Sequence, residues 1–313
     1  MASKVSVIIL MYNTLSKLGR EFIKKMIESV YYQDYRNLML VIVDNGSRDK
    51  TADYVSKLLN EYSSVEYHII KLPKNYGYTG GNNMGAIYSI SRGAEYLFFM
   101  NDDVILLDKN LIAVLVKSLE IDKKLGAVQP VIVNKDGSIS CGFRVGLSSI
   151  PKVDRYGGRI FYVSGAALLT RSKLFMKAGM FDSDFFLYYD DVDYAWRLIL
   201  LNYRVACIRS VKAYHFGSAT VGKESPKYYY FMLRNAVWAV TKNSSSAALM
   251  PRLSLLLVES VISFLLHHLL IKRNADLVKA DIKGLFDGIK SIKVVISKRK
   301  IVQGNKSCTR NPS

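Results

Sequence analysis

The stretch that most restricts the fold is Glu95 to Asp108, EYLFFMNDDVILLD. Five apolar or aromatic residues, Tyr96 to Met100, run unbroken into Asn101, Asp102 and Asp103, after which apolar residues resume. A short continuous apolar run suits a strand covered on both faces of a parallel sheet. Polar side chains at the carboxyl end of such a strand stand where open α/β sheets bind their ligands. Two adjacent carboxylates repel each other and lose hydration beside a core. A divalent cation relieves both problems, because Mg2+ and Mn2+ take hard oxygen ligands and share them with substrate phosphates. The bland alternative is a strand-ending turn with solvated Asx side chains.

The preceding chain supplies a sheet for that strand to join. Lys4 to Leu10, Leu38 to Val43 and Val65 to Lys71 are β-rich runs, separated by helical spacing over Ser16 to Gln33 and over Lys50 to Tyr62. Alternating strands and helices with short links predict a parallel, doubly wound sheet. The loop Pro73 to Gly85, PKNYGYTGGNNMG, has glycines that permit close backbone approach to a nucleotide. It matches neither G-x-G-x-x-G nor the P-loop, and an ordinary surface loop would explain its glycines about as well. Further on, helix Asn110 to Asp122, strand Gly126 to Val133, strand Phe161 to Thr170 and strand Tyr203 to Ile208 are expected.

A second acidic cluster lies in FDSDFFLYYDDVDYAWR, where Asp190, Asp191 and Asp193 follow the aromatic run Phe185 to Tyr189. Acids in a first helical turn are favoured by the macrodipole, which explains one or two of them better than three. His215 follows a strand. Alone it would be read as a structural histidine; two acidic clusters before it make it a candidate ligand.

The ordered segments VSVIILMYN, VIVDNGSRD, NYGYTGGNNMG, MNDD, YVSGAALLTR, FFLYYDDVDYAWR and YHFGSAT, spread from Val5 to Lys242, resemble the inverting family 2 glycosyltransferases. The likeness is to their rhamnosyl- and galactofuranosyltransferase-like branch. The resemblance implies a GT-A fold, a Rossmann-like, mostly parallel sheet flanked by helices. It also implies transfer of a sugar from a nucleoside-diphosphate donor to a glycan or lipid-linked acceptor, with Mg2+ or Mn2+ as cofactor. Tyr12, Asn13, Asp44 and Asn45 fall where the family holds the donor's base and ribose, and Asn75, Gly80, Gly81 and Asn82 fall in its donor-binding loop. Asn101, Asp102 and Asp103 stand at the D-x-D motif, with Asn101 at the first position and Asp103 at the metal-binding aspartate. Asp191 matches the general base, Asp190 stands at the usual glutamate beside it, and His215 matches a histidine completing the metal or diphosphate site.

A formal charge of +18 asks for an anionic partner. From Pro251 to Ser313 there are twelve Lys or Arg and four Asp or Glu. Leu253 to Ile271 is marginal in length for a membrane span, and Glu259, Ser263 and His267 recur along it as a polar stripe. Ala275 to Ile296 has an apolar face of Val278, Ile282, Leu285, Ile289, Ile292 and Ile296 among lysines. Both read as amphipathic helices for an anionic membrane surface, or for packing on the domain or on a second copy of the chain. The expected division is a catalytic domain over 1–242, a helical extension over 243–300 and an unstructured tail over 301–313. The three cysteines, Cys141, Cys207 and Cys308, are too scattered for a disulfide framework or a zinc site, which favours a reducing compartment. Val5 to Met11 is read as a first strand, not a signal-peptide core. The expected location is therefore the cytoplasm, at the inner face of the cell membrane.

The rival readings are a non-catalytic basic protein binding nucleic acid or membrane, and a nucleotidyl transferase. No nucleic-acid motif appears and aromatics are not interleaved with the basic run, so no nucleic-acid partner is expected. Nucleotidyl transfer would need a phosphate-gripping Arg/Lys signature near the first loop, where Leu10 to Leu18 offers only Lys17.

Overall fold

The apolar runs of the amino-terminal half become strands because the sheet covers them from both sides. In a computed structural model describing residues 2–62, 65–146, 150–155, 161–217 and 225–304 (side chains only to 298), β1 (Val5–Met11), β2 (Leu38–Asp44) and β4 (Tyr96–Asn101) are almost wholly buried. The half-exposed β3 (Glu66–Lys71) closes the edge, and the four pair in parallel in the order β3-β2-β1-β4. Helices α1 (Thr14–Tyr31), α2 (Thr51–Leu59) and α3 (Gly77–Ser91) make the connections. The site-bearing ends of β1, β2 and β4 thus lie side by side, with Met11 beside Asp44 and Leu10 beside Asn101.

The second half departs from a purely parallel sheet. It contributes β5 (Val104–Leu106), α4 (Leu111–Ile121), β6 (Leu125–Asn134), β7 (Ile139–Ser140), a hairpin of β8 (Phe143–Val145) and β9 (Pro151–Val153), β10 (Ala167–Arg171), α5 (Ser172–Lys177), α6 (Asp190–Leu200) and β11 (Arg204–His215). The sheet continues β4-β10-β6-β11-β5, with β10 antiparallel to both neighbours, β11 parallel to β6 and β5 antiparallel to β11. The strand expected over Phe161 to Thr170 begins only at Ala167. Before it, Gln129 Oε1 takes the Ser164 N–H at 2.7 Å and Ser164 Oγ takes the Ala166 N–H at 3.2 Å, folding Ser164 and Gly165 into a turn. Conversely, β11 runs past Ile208 through a bulge before Lys212 and reaches His215, which pairs with Val104.

The cysteine reading is corrected. Cys141 and Cys207 form a disulfide across 66 residues, because β7 and β11 both pair with β6 and bring the two residues together. Cys308 lies outside the described residues.

The carboxyl-terminal helices are α7 (Pro226–Asn243), α8 (Ser246–Ser260) with a π-helical continuation over Val261–Ile271, α9 (Ala275–Lys290) and α10 (Ile292–Gly304). The single helix expected over Ala275 to Ile296 is therefore broken at Ser291. Of the two uses expected for its apolar face, packing on the domain is made instead by another face. The residues of α9 that are buried are Leu277, Ala280, Asp281, Gly284 and Gly288, while Ile282 and Ile289 are exposed. The reason is close backbone approach: a Cβ on Gly284 would come within 2.7 Å of Tyr230 O, and one on Gly288 within 3.2 Å of Arg234 O, both on α7. Nor does the polar stripe expected along Leu253 to Ile271 divide that helix. Its buried polar residues are Ser260 and His268, the latter 2.6 Å from Asp281, and apolar side chains such as Ile262, Leu269 and Leu270 face out. Of the tail expected over 301–313, residues 301–304 continue α10 and the rest lies outside the described residues.

Candidate active site

The first acidic cluster sits where β4 leaves the sheet. Asp102 and Asp103 are both buried. Asp102 Oδ2 accepts from the Thr14 hydroxyl at the start of α1. Burial, and then the neighbouring Asp103, push the Asp102 carboxyl up to about 7. Asp103 turns the other way. Its Oδ1 is buried, accepts no hydrogen bond and lies 3.2 Å from His215 Nε2. The bulged end of β11 and the start of β5 right after Asp103 create this pairing. Two lone-pair donors converge there, and a divalent cation fits between them chemically: one hard carboxylate oxygen and one imidazole nitrogen, with the remaining positions left to substrate or water. No group of three His, Cys, Asp or Glu side chains that could hold a metal exists among the described residues. Lys17, half-buried and donating to Tyr12 O, adds the only cation near these acids that sequence reasoning had noticed.

The predicted donor-side residues form one hydrogen-bonded wall. Asn13, in the left-handed region at φ 51°, donates its N–H to Ser47 Oγ at 2.9 Å and accepts the Arg48 N–H at 2.7 Å. Asp44 accepts the Ser47 N–H at 3.1 Å. The Asn45 side chain is used by the glycine-rich loop: its Oδ1 accepts from Tyr76 N–H at 2.9 Å, and its Nδ2 donates to Asn75 Oδ1 and Gly77 O. Gly81 serves packing, since a Cβ there would meet Leu10 Cδ1 at 2.3 Å; a Cβ on Gly80 would meet the Tyr76 Cβ at 2.9 Å. Asn82 donates to Tyr78 O at 3.0 Å and keeps a buried Oδ1 without a hydrogen-bond partner. Tyr12, at the end of β1, is partly exposed at the mouth of this wall.

The second acidic cluster opens α6, and the structure separates its members. Asp193 is fully buried, paired with Arg197 at 2.8 Å and Lys242 at 3.0 Å and bonded to Asn243. Burial would raise its proton affinity, but Arg197 and Lys242 outweigh that and hold it below the usual carboxylate range. Lys242 also reaches Asp182 at 2.8 Å. Asp193 therefore ties α6 to α7. Asp190 is buried, and desolvation followed by the adjacent Asp191 drives its carboxyl well above its ordinary value. Asp191 alone of the three keeps solvent contact. Its carboxylate accepts from Gly165 N–H at 3.2 Å and Val192 N–H at 2.9 Å. Burial pushes it up to about 6, those N–H donors opposing the rise.

The two clusters are linked through Gly165 and Ala166. Ala166 O accepts from Asn101 N–H at 2.9 Å, while Gly165 N–H donates to Asp191. The approach to α6 is strained: Phe186, Tyr188 and Tyr189 all have φ between 63° and 65°, each costing about 1–2 kcal/mol. Asn235 of α7 holds them. Its Nδ2 lies 3.0 Å from Phe185 O and 2.8 Å from both Leu187 O and Tyr188 O. Sequence reasoning missed Asn235; the available signal was a lone amide inside an otherwise apolar helical stretch, NAVWAV.

Comparison with known proteins follows the same lines. Residues 6–177 match Glycosyl transferase family 2. The chain is 26% identical to the dTDP-rhamnosyl transferase RfbF of Shigella flexneri over 93% of its length and 97% of that protein. It is 23% identical to the low-salt glycan biosynthesis hexosyltransferase Agl10 of Haloferax volcanii, over 80% of its length and 82% of the relative. Among solved structures, the mannosyltransferase PcManGT from Pyrobaculum calidifontis in complex with GDP-Man and Mn2+ shares the fold at a TM-score of 0.58 and 16% identity, covering 99% of this chain and 88% of that one. S. aureus TarS does so at 0.62 and 18% identity, covering 98% of this chain and 53% of that one. An α/β sheet of this topology with a family match over more than half the chain settles the class: the protein is a glycosyltransferase of GT-A fold and belongs to glycosyl transferase family 2.

Proposed function

We propose that the chain moves a sugar from a nucleoside-diphosphate donor to a hydroxyl of a glycan or lipid-linked acceptor in one inverting displacement, with Asp191 as the base. The observation that carries this reading is the division of labour in the second cluster. Asp193 is consumed by ion pairs and Asp190 is buried, whereas Asp191 keeps solvent contact and is bonded to Gly165, next to the Ala166 carbonyl that Asn101 N–H reaches. The donor's nucleotide lies along Tyr12, Asn13 and Asp44, beside the glycine-rich loop that Asn45 holds. Asp103 and His215 would hold Mg2+ or Mn2+, which would supply positive charge for the leaving diphosphate. Thr14 keeps Asp102 turned aside, so that only one carboxylate of the pair faces His215. Asp191 accepts the acceptor's hydroxyl proton as that oxygen forms its bond to the anomeric carbon and the sugar–phosphate bond breaks. No covalent sugar on the enzyme is required. RfbF and Agl10 are named for rhamnosyl and hexosyl transfer, and a hexosyl or deoxyhexosyl donor is the matching choice here.

A thermal-shift series tests the donor site. The preferred nucleoside diphosphate should raise the melting temperature with Mn2+ present and lose that effect with a chelator, by mass action. No stabilisation by any nucleoside diphosphate would remove the donor reading.

The reading includes attachment to an anionic membrane surface. The helix Ser246–Ile271 is 26 residues long and contains an 18-residue window of mean hydropathy 1.9, long and apolar enough by composition to cross a membrane. We assign it instead to shallow insertion, because Ile262, Leu266, Leu269 and Leu270 face out while His268 on the inner side is tied to Asp281 of α9. Exposed Lys279, Lys283, Lys290 and Lys293 lie on the helices that follow, each contributing about 1 kcal/mol near an anionic bilayer. The protein should float with anionic vesicles and lose much of that binding in high salt. Ile262→Asp combined with Leu269→Asp should release it without lowering its melting temperature. Extraction by detergent alone would mean a spanning helix, and no vesicle binding at any salt would assign this face to self-association.

A further inference from the structure

Tyr78 carries a buried hydroxyl for which the reaction as described has no task. It follows Gly77, whose φ is +74° and where a Cβ would come within 2.4 Å of Phe186 O. That close approach lets Tyr78 N–H donate to Phe186 O at 2.6 Å. At its other end the phenol crosses to the second cluster and donates to Gly165 O at 2.7 Å. Gly165 in turn gives its N–H to Asp191 Oδ2 at 3.2 Å. The fit is close: a Cβ on Gly165 would lie 2.8 Å from the Tyr78 hydroxyl oxygen.

Taking Asp191 as the base, we propose that Tyr78 is a positioning residue that fixes the Gly165 backbone, and through it aims the Asp191 carboxylate at the acceptor hydroxyl. Tyr78 belongs to the donor loop, whose Asn75, Gly77 and Tyr76 are bonded to Asn45. One side chain therefore braces the base against the donor loop. The titratable groups facing Asp191 are Asp190 beside it, Tyr189 before it, Tyr162 from the segment preceding β10, and Tyr78 itself. Burial, reinforced by the nearby carboxylates, raises the proton affinity of Tyr78 and Tyr162 far above the ordinary phenol range, so both remain protonated. Tyr78 is thus a donor at every working pH. The Gly165 N–H lowers the proton affinity of Asp191, so loosening Gly165 shifts Asp191 toward protonation.

Tyr78→Phe in the full chain keeps the ring, which lies 5.9 Å from that of Phe181, and deletes one oxygen. The donor KM should stay near wild type while kcat falls by roughly 10²-fold, the scale of misplacing a catalytic group by about 1 Å. The acid limb of the kcat/KM profile should move to higher pH. Gly165→Ala should impair kcat by pushing against the hydroxyl, and adding Tyr78→Phe should recover part of that loss, because it removes the atom the new methyl meets. A Tyr78→Phe enzyme with wild-type kcat and an unmoved acid limb overturns the proposal. So does a joint fall of kcat, KM and melting temperature with the limb unmoved, the signature of a merely structural role. Asp191→Asn separates the two levels. If it is inactive while Tyr78→Phe is unaffected, positioning alone fails; if it retains full turnover, the base assignment falls and positioning with it.

Discussion

Asp191→Asn is expected to cut turnover by roughly 10²–10⁴, the scale for losing a general base, while donor affinity stays within a few-fold. The substitution preserves shape, and the amide oxygen can still accept one of the two N–H groups, Gly165 at Oδ2 or Val192 at Oδ1, that now bond the carboxylate. What disappears is the ability to take a proton. The wild-type pH profile should report the same group. Burial places Asp191 at about 6, and the base must be ionised to work. Activity should therefore be complete above that pH and fall about tenfold per unit below it, a limb that the Asn variant should lack. Collapse of donor affinity together with turnover would move Asp191 into the donor or metal site. Asp193 would not inherit the role, since Arg197 and Lys242 hold it as an ion-paired tie.

Asp103→Ala should abolish the metal-dependent part of donor binding, read as loss of the Mn2+-dependent thermal shift. Its effect on the folded protein should be small or favourable without metal. Asp103 Oδ1 is buried and accepts no hydrogen bond, and the Asp103 charge adds to the burial that raises Asp102. Removing it deletes a buried acceptor without a hydrogen bond and a like-charge neighbour together, against the loss of its contact with His215. The backbone bond from Phe216 N–H to Asp103 O remains. A melting temperature unchanged or raised in chelator, with no response to Mn2+ and nucleotide, is the expected pair of results. A variant that keeps full turnover in chelator would remove the metal from the mechanism.

The residues that could be read from sequence were those whose role is local. Asn101 to Asp103 announced themselves because a fully buried strand writes an unbroken apolar run, and whatever ends it stands at the ligand edge. His215 could be named but not placed: the bulge between Ile208 and Lys212 that carries it to Asp103 has no signature in periodicity. The turn at Ser164 and Gly165 was hidden inside a β-like string, since the Gln129 side chain that takes the Ser164 N–H comes from a strand 35 residues earlier. Which of the two expected uses the apolar face of α9 serves was not legible for a different reason. Hydrophobic periodicity assumes that large apolar residues make the contact, whereas Gly284 and Gly288 let two backbones meet and leave Ile282 and Phe286 outside. The disulfide depended on two strands sharing β6, a register no spacing encodes.

The central claim is a single displacement at the anomeric carbon. It is tested most directly by the anomeric configuration of the new glycosidic bond when the preferred nucleotide sugar and acceptor are turned over with Mn2+, read by proton NMR. Direct attack with Asp191 as base predicts a linkage of configuration opposite to the donor's, and that Asp191→Asn suppresses its formation. A linkage that keeps the donor's configuration would mean two displacements or a front-face route, and would contradict the mechanism whatever the variants do.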